Sequence, residues 1–368
     1  MIAAVVTDRR SDQQSLVTVT PQGKVRRRVT LGSTEVRPPV LAPNGDIWIL
    51  GAVDGGSSAV DRGLPRWRAL LEVVSDKGQH SVFVLPDREQ STTDDYLLSK
   101  ALAMDTDENL YFGWGDAIIS MSPSGAVRWV VGPQELGVTG PPDGHWGALG
   151  KPAIVDQRLY VFGNGGEIVI LSLDGHVVRV SRVEDEEPGI LNAGVNLAGS
   201  EQGVVYSRFD YDVRILDRDG NLIRALGQLL DHDVSPVFFG QSAVLLVRGV
   251  VYRVEPDGVP EFIANVHVST GATEGPFVAG GGMAVFMHGG NDPRVSLVDL
   301  AATPPVTSVI DLDIATGAAP VMPADGELVY AVGWRLIAIE MPITAPGPLT
   351  WSTPNANFRN TRCISTGN

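Results

Sequence analysis

Short runs of β-branched and aromatic residues recur along this chain at intervals of roughly 40–50 residues, the period of propeller blades. Each copy opens on a small apolar segment that often begins at proline: Pro39-Val40-Leu41, Pro152-Ala153-Ile154, Pro236-Val237-Phe238, Pro276-Phe277-Val278 and Pro320-Val321-Met322. A β-rich run follows, as in Ile47-Trp48-Ile49-Leu50, Leu110-Tyr111-Phe112, Leu159-Tyr160-Val161-Phe162, Val204-Val205-Tyr206, Val244-Leu245-Leu246-Val247, Ala284-Val285-Phe286 and Leu328-Val329-Tyr330. A third run then ends at a glycine turn: Gln22-Gly23, Lys77-Gly78, Ser124-Gly125, Asp174-Gly175, Asp219-Gly220 or Asp257-Gly258. Such runs, punctuated by Asp-Gly and Ser-Gly, are the grammar of antiparallel hairpins. One meander cannot bury both faces of its sheet, whereas stacked neighbours can, so the period predicts a radial array of small sheets.

The expected fold is therefore all-β: one propeller of four-stranded antiparallel blades, with strands A to D running outward from the proline segment. Counting the second strands gives eight blades; seven is the alternative, because stretches 54–68 and 133–145 can hide or mimic elements. The first repeat shows only three strands, at Ile2–Thr7, Ser15–Thr20 and Val25–Leu31. An exposed sheet edge invites aggregation, so the tail around Asn360–Thr366 is expected to supply the missing inner strand. Residues 1–368 read as a single domain with a closure segment at about 347–366, because no linker interrupts the repeat. The content of 42 Gly and 25 Pro supplies the turns, and 43% hydrophobic residues supply a core.

Charge narrows the partners. With 28 basic and 43 acidic residues, a net of −15, neither nucleic acid nor an anionic membrane is an expected ligand. The one basic run, Arg26-Arg27-Arg28, alternates across a strand and reads as a solvated outer strand. The acidic run Glu184-Asp185-Glu186-Glu187 reads as a solvated loop. Cys363 is the single cysteine, which excludes an intrachain disulfide and Cys-rich metal sites. No run approaches the ~18 apolar residues of a membrane span. Met1–Arg10 has no signal-peptide pattern, so the expectation is a cytoplasmic chain, or an extracytoplasmic one if a leader lies upstream.

The tail Gly347-Pro348-Leu349-Thr350-Trp351-Ser352-Thr353-Pro354-Asn355-Ala356-Asn357-Phe358-Arg359-Asn360-Thr361-Arg362 resembles the closing segment of the pyrroloquinoline-quinone-like (quinoprotein) propeller superfamily. The segment Ile119–Trp129 is similar to that superfamily's tryptophan-docking repeat, in which a small residue and Gly125 precede Trp129 by a fixed step; the matching positions elsewhere are Arg179, Arg224 and Phe262. The resemblance implies a closed propeller whose tail crosses from the last blade into the first. Quinoprotein dehydrogenases of that superfamily carry a vicinal cysteine pair and a calcium site. A chain with one cysteine cannot have the pair, so the resemblance points to a non-catalytic member without a cofactor. WD-repeat and kelch marks do not keep register here.

Catalytic motifs are equally scarce: there is no His-Glu-x-x-His helix, phosphate loop or nucleophile elbow. Asp105-x-Asp107-x-Asn109 begins like a calcium loop but lacks its Gly and Glu, and reads as a turn that caps its own backbone. The remaining candidates lie on B–C and D–A connections, which open on one face: Trp114 and Asp116, His145 and Trp146, Arg208 and Tyr211, Asp231-His232-Asp233, His288 and Asp292, and Trp334 with Arg335. A carboxylate beside His232 is the most ligand-like of these arrangements; the competing readings are solvated loops and blade packing. Trp114 and Trp334 each adjoin a glycine and are expected to be partly exposed. The expected function is a non-catalytic, monomeric scaffold that binds a protein or polymer on this funnel face. The alternatives are a quinone- or metal-dependent oxidoreductase, a hydrolase in the funnel, or a structural module of a surface assembly.

Overall fold

The computed structural model describes residues 2–8, 11–20, 23–54, 67–86, 98–99, 101–138, 152–163, 167–182, 196–200, 203–207, 212–228, 236–239, 241–247, 249–255, 257–266, 273–279, 282–288, 293–302, 304–312, 321–324, 326–332, 335–340 and 363–364. The chain groups into two compact units, Met1–Asn192 with Arg359–Cys363, and Ala193–Phe358 with Ile364–Asn368.

In the first unit, β1 (Ile2–Asp8), β2 (Gln13–Val19) and β3 (Val25–Thr30) form a three-stranded meander. In the second sheet, β4 (Glu35–Val36) and β5 (Val40–Leu41) share one edge of β6 (Ile47–Asp54), followed by β7 (Trp67–Val74) and β8 (His80–Val84). The third runs β9 (Ala103–Met104), β10 (Leu110–Trp114), β11 (Ala117–Met121) and β12 (Val127–Val131), and the short helix α1 (Pro133–Leu136) follows it. The fourth runs β13 (Ala153–Val155), β14 (Arg158–Phe162), β15 (Glu167–Ser172) and β16 (Val177–Arg182).

The second unit repeats the pattern. Its sheets are β17 (Asn196–Ser200) to β18 (Gly203–Ser207), β19 (Asp212–Asp217) and β20 (Leu222–Gln228), then β21 (Val237–Phe239), β22 (Ser242–Val247), β23 (Val250–Val254) and β24 (Pro260–Asn265). After them come β25 (Thr273–Ala279), β26 (Met283–His288), β27 (Arg294–Asp299) and β28 (Val306–Asp311), and the three-stranded β29 (Val321–Ala324), β30 (Glu327–Val332) and β31 (Arg335–Glu340). Apart from β4 with β6 and the tail strand described below, the paired strands among the described residues are antiparallel neighbours in sequence, as the alternating runs and tight turns predict.

Burial follows strand position. Middle strands such as β10 (LYFGW) and β11 (AIISM) are buried throughout, because each face is covered by another sheet. Outer strands such as β3 and β8 are mostly exposed. The core therefore sits between successive sheets. One cluster joins Trp48, Leu50, Trp67 and Leu71 of the second sheet to Phe112, Trp114 and Met121 of the third; another joins Tyr111 and Ile118 to Ile154, Leu159 and Val169 of the fourth.

A second device locks neighbouring sheets. Most C–D turns place a glycine at positive φ, at Gly78 (88°), Gly125 (82°), Gly175 (91°) and Gly258 (80°) among others. At these four, a planar or long side chain of the preceding sheet's outer strand lies against the glycine. A methyl at Gly175 would sit 2.8 Å from the Trp129 ring, one at Gly78 would sit 2.7 Å from Arg27 Nε, and Phe83 occupies the same place over Gly125. Trp129 Nε1 also donates to Leu173 O (3.0 Å), while Arg27 Nη1 and Nη2 donate to Ser75 O (2.9 Å) and Asp76 O (2.8 Å). Indole and guanidinium thus do one job: a flat face on glycine and an N–H on a turn carbonyl. Arg27 is consequently half-buried in a joint, while its neighbours Arg26 and Arg28 take the solvated role expected of the whole basic run. A register shift precedes the docking residue in several outer strands, between Thr18 and Val19 opposite Arg27, and between Ser120 and Met121 opposite Trp129. Such a bulge turns one side chain out of strict alternation and aims it at the next sheet.

The tail differs from expectation. The two-residue strand β32, beginning at Cys363, lies at the edge of β13, not beside β1. A short tail can cover any inner edge with unpaired N–H and C=O groups, and two residues specify register weakly. Residues 347–362 lie outside the described residues.

Glycine substitutions separate the docking term from backbone strain. Gly23 has φ of 76° and nothing among the described residues within 4 Å of an added methyl, so Gly23→Ala is expected to cost only the left-handed penalty of about 1–2 kcal/mol. Gly175→Ala meets the same strain plus the Trp129 ring and should lose a further ~1–3 kcal/mol, read by urea denaturation. Equal losses for the two variants would refute the docking account.

Candidate functional site

The candidate residues that are described fall at B–C hairpins, as their register predicts. Trp114 ends β10 and pairs with Ala117 across the Gly115–Asp116 turn. His288 ends β26 opposite Arg294, and Arg335 opens β31 opposite Val332. His145, Trp146, Arg208, Tyr211, Asp231, His232, Asp233, Asp292 and Trp334 lie outside the described residues, as does the acidic run 184–187.

Trp114 corrects the expectation of partial exposure. It is 1% exposed and packs in the cluster with Trp67, Leu98 and Phe112. Its Nε1 donates to Pro86 O at 3.0 Å. The small Ala117 opposite it leaves room for the indole to fold between two sheets, and a bonded N–H makes that burial favourable. Trp114 therefore presents no surface to a partner. Asp116 is half-buried beside it, with Oδ1 enclosed and unbonded among the described residues.

Two polar clusters were not singled out as candidates from sequence. Glu72, on β7, is fully buried. Its carboxylate accepts from Gly32 N (2.8 Å), Ser33 N (2.9 Å) and Ser33 Oγ (2.6 Å), and lies 2.8 Å from His80 Nε2. It pins the segment joining the first sheet to the second. The signal was a lone carboxylate in the apolar run Trp67–Val74. The other cluster surrounds Tyr111. Asp105 caps its own turn, accepting from Asp107 N (2.9 Å) and Asn109 N (2.8 Å), as read from sequence, and also accepts the Tyr111 hydroxyl at 2.7 Å. Arg128 Nη1 donates to Tyr111 Oη (2.9 Å) and Ser120 Oγ (3.0 Å). Burial first, and then the bond to the Asp105 carboxylate, push the Tyr111 phenol above its ordinary value. The hydroxyl stays a proton donor and the cluster is a joint between sheets.

Among the described residues, no three His, Cys, Asp or Glu side chains converge as a metal site, and no helix is long and apolar enough to cross a membrane. No family model and no curated protein matches the chain. Solved structures do. BamB from Moraxella catarrhalis is 19% identical over 84% of this chain and 82% of its own, with a TM-score of 0.50. The computationally designed Ika8 protein is 14% identical, over 92% and 93%, with a TM-score of 0.62. A chain of the Mitotic Checkpoint Complex is 12% identical, over 83% and 89%, with a TM-score of 0.55. With serial four-stranded antiparallel sheets already established, these likenesses decide the fold. The chain is a multi-blade β-propeller. At such identities they carry the fold alone.

Truncation tests the two buried anchors. Trp114→Ala should cost about 3–5 kcal/mol through the cavity it leaves. Glu72→Ala, which strips the acceptors from Gly32 and Ser33, should cost a similar ~3–5 kcal/mol. Both are measured by equilibrium denaturation; a loss under ~1 kcal/mol for either would contradict its assigned place.

Proposed function

We propose that this propeller is a non-catalytic scaffold that recognises a protein or polymer through its B–C and D–A connections. The observation that supports this reading is an asymmetry in the connections. At one end of the sheets the strands are joined by tight turns, such as 122–126 and 173–176, closed by positive-φ glycines. At the other end lie connections such as 85–102 and 132–152 in the first unit, and 229–236 in the second. Long connections on a rigid frame are where binding residues gather. His145, Trp146, Asp231, His232 and Asp233 stand in such connections, while Arg208, Tyr211, His288, Trp334 and Arg335 flank B–C hairpins.

Other similar structures add support. One is titled BBS1N in complex with ARL6DN, with 16% identity and a TM-score of 0.51, and the Mitotic Checkpoint Complex names an assembly. These describe those proteins and place propellers of this size in protein complexes. Kinship to the quinoprotein-like superfamily is part of the same proposal. It is supported by the docking of Trp129 on Gly175 and by the likeness to BamB.

The test is affinity capture with quantitative mass spectrometry on wild type and on a Trp146→Ala, Trp334→Ala, His232→Ala variant. The expected outcome is loss of a reproducible set of partners, about tenfold or more for those anchored on an aromatic residue, with an unchanged melting temperature. A folded variant that captures the same set at the same level overturns the placement on this face.

A further inference from the structure

The outer strands do not present equal edges to solvent. β3, β12, β16, β20 and β24 each show a register shift against the neighbouring strand, with the extra residue on the outer one. Each also holds a charged side chain, from Arg27 in β3 to Glu261 in β24. Bulges and charges are the devices that keep a free edge from pairing with another chain. β8 and β28 lack the bulge. In β8, His80 is tied to Glu72 and Phe83 lies over Gly125, so two of its five side chains are committed within the fold.

β28 is the open one. It pairs with β27 in unbroken register from Val306 to Asp311, and Val306-Thr307-Ser308-Val309-Ile310 carries no charge. The first four of these residues are exposed, Val306 at 57% and Val309 at 48%. The internal joint at this sheet stands idle as well. Phe262, in the register place of Trp129 and Arg224, is 57% exposed, and the C–D connection between β27 and β28 (residues 300–305) has no glycine to receive it.

Unpaired N–H and C=O groups along an extended edge are satisfied along their length by another extended strand. A second copy of this chain offers a strand that matches. In antiparallel pairing about a two-fold axis through Ser308, Val306 stands opposite the second copy's Ile310, and Thr307 opposite its Val309. β-Branched and hydroxyl side chains therefore meet across the seam, and no like charges do. The same operation on β3 sets Arg27 against Arg27 and Arg26 against Arg28.

We propose that β28 is a dimerisation edge, at which two copies join their β25–β28 sheets antiparallel through Val306–Ile310. The contact is isologous and closes at two copies. One strand pair is a small interface, and two chains of net charge −15 repel, so the dimer is weak, with a Kd on the order of 10–100 µM. It uses none of the B–C or D–A residues and stands independently of the function proposed for them.

The test is sedimentation velocity on the full chain at concentrations spanning that Kd, in about 0.15 M NaCl. Wild type should pass from monomer to dimer. Thr307→Lys combined with Val309→Lys sets ammonium groups opposite one another twice across the seam and should weaken the dimer about tenfold or more. It does so although it lowers the net negative charge, which separates the seam from general repulsion. Thr307→Lys combined with Val309→Glu restores opposite charges at the same places and should keep the dimer. Val82→Lys, on the exposed edge of β8, should leave it unchanged. Wild type that stays monomeric throughout would leave the edge to a different chain and overturn the proposal. A dimer that survives the two lysines, or is lost in the Lys–Glu variant or in Val82→Lys, would overturn it too.

Discussion

Sheet-to-sheet docking on glycine is the constraint on which the rest of the structure depends. A small antiparallel sheet with two apolar faces is not stable alone, and its hydrophobic contacts with a neighbour are non-directional. They hold sheets together without fixing angle or height. A planar group against a positive-φ glycine, with one N–H on a turn carbonyl, is directional. Trp129 on Gly175 and Arg27 on Gly78 each specify where one sheet meets the next. Glycine is required twice over, once for the left-handed turn and once because a methyl would displace the docked group.

That constraint explains why so little of the repeat is conserved in letter while the geometry persists. Any side chain with a flat or long apolar body reaches the glycine, and one with an N–H also reaches the carbonyl. Trp, Arg and Phe all qualify in part. The repeat of this fold is therefore better written as a bulge, a planar residue and a glycine turn than as a tryptophan motif. The same logic accounts for the basic run at Arg26–Arg28, whose middle member is consumed by a joint while Arg26 stays near Asp76 at 3.5 Å.

The sheet count per repeat, the strand order and the glycine turns were legible because they rest on local grammar: alternation, proline at strand starts and Asp-Gly or Ser-Gly turns. What was not legible depends on which face a residue meets after the sheets stack. Trp114 adjoins a glycine turn, which suggested exposure, yet the ring is buried because Ala117 opposite it is small and Pro86 supplies an acceptor. Glu72 looked like one more strand residue, though its carboxylate organises the segment around Ser33 across 39 positions of sequence. The tail's destination was illegible for a related reason: two residues carry too little pattern to choose among inner edges. The self-capping turn at Asp105 was readable because its partners lie within four positions.

A frame held by equivalent joints leaves two kinds of place where chemistry can vary without loss of the fold. One is the set of long connections between sheets. The other is a joint that a neighbour has made redundant. At the interface of β18–β20 with β21–β23, Arg224 still packs on Gly258, with its Cβ 2.9 Å from where a methyl would lie. The docking contact is kept there while the adjoining plug, Tyr111 and Arg128 in the first unit, is reduced to Val205 and Ile223. Alignment is supplied by the first contact and filling by the second, so the filling can be given up at the cost of some packing alone. The facing wall changes with it: register sets Phe238 where Ile154 stands in the first unit and Ala243 where Leu159 stands, so the ring is contributed from the other side of the joint. A repeat protein can in this way exchange bulk between the two sides of a joint while the glycine contact holds the alignment.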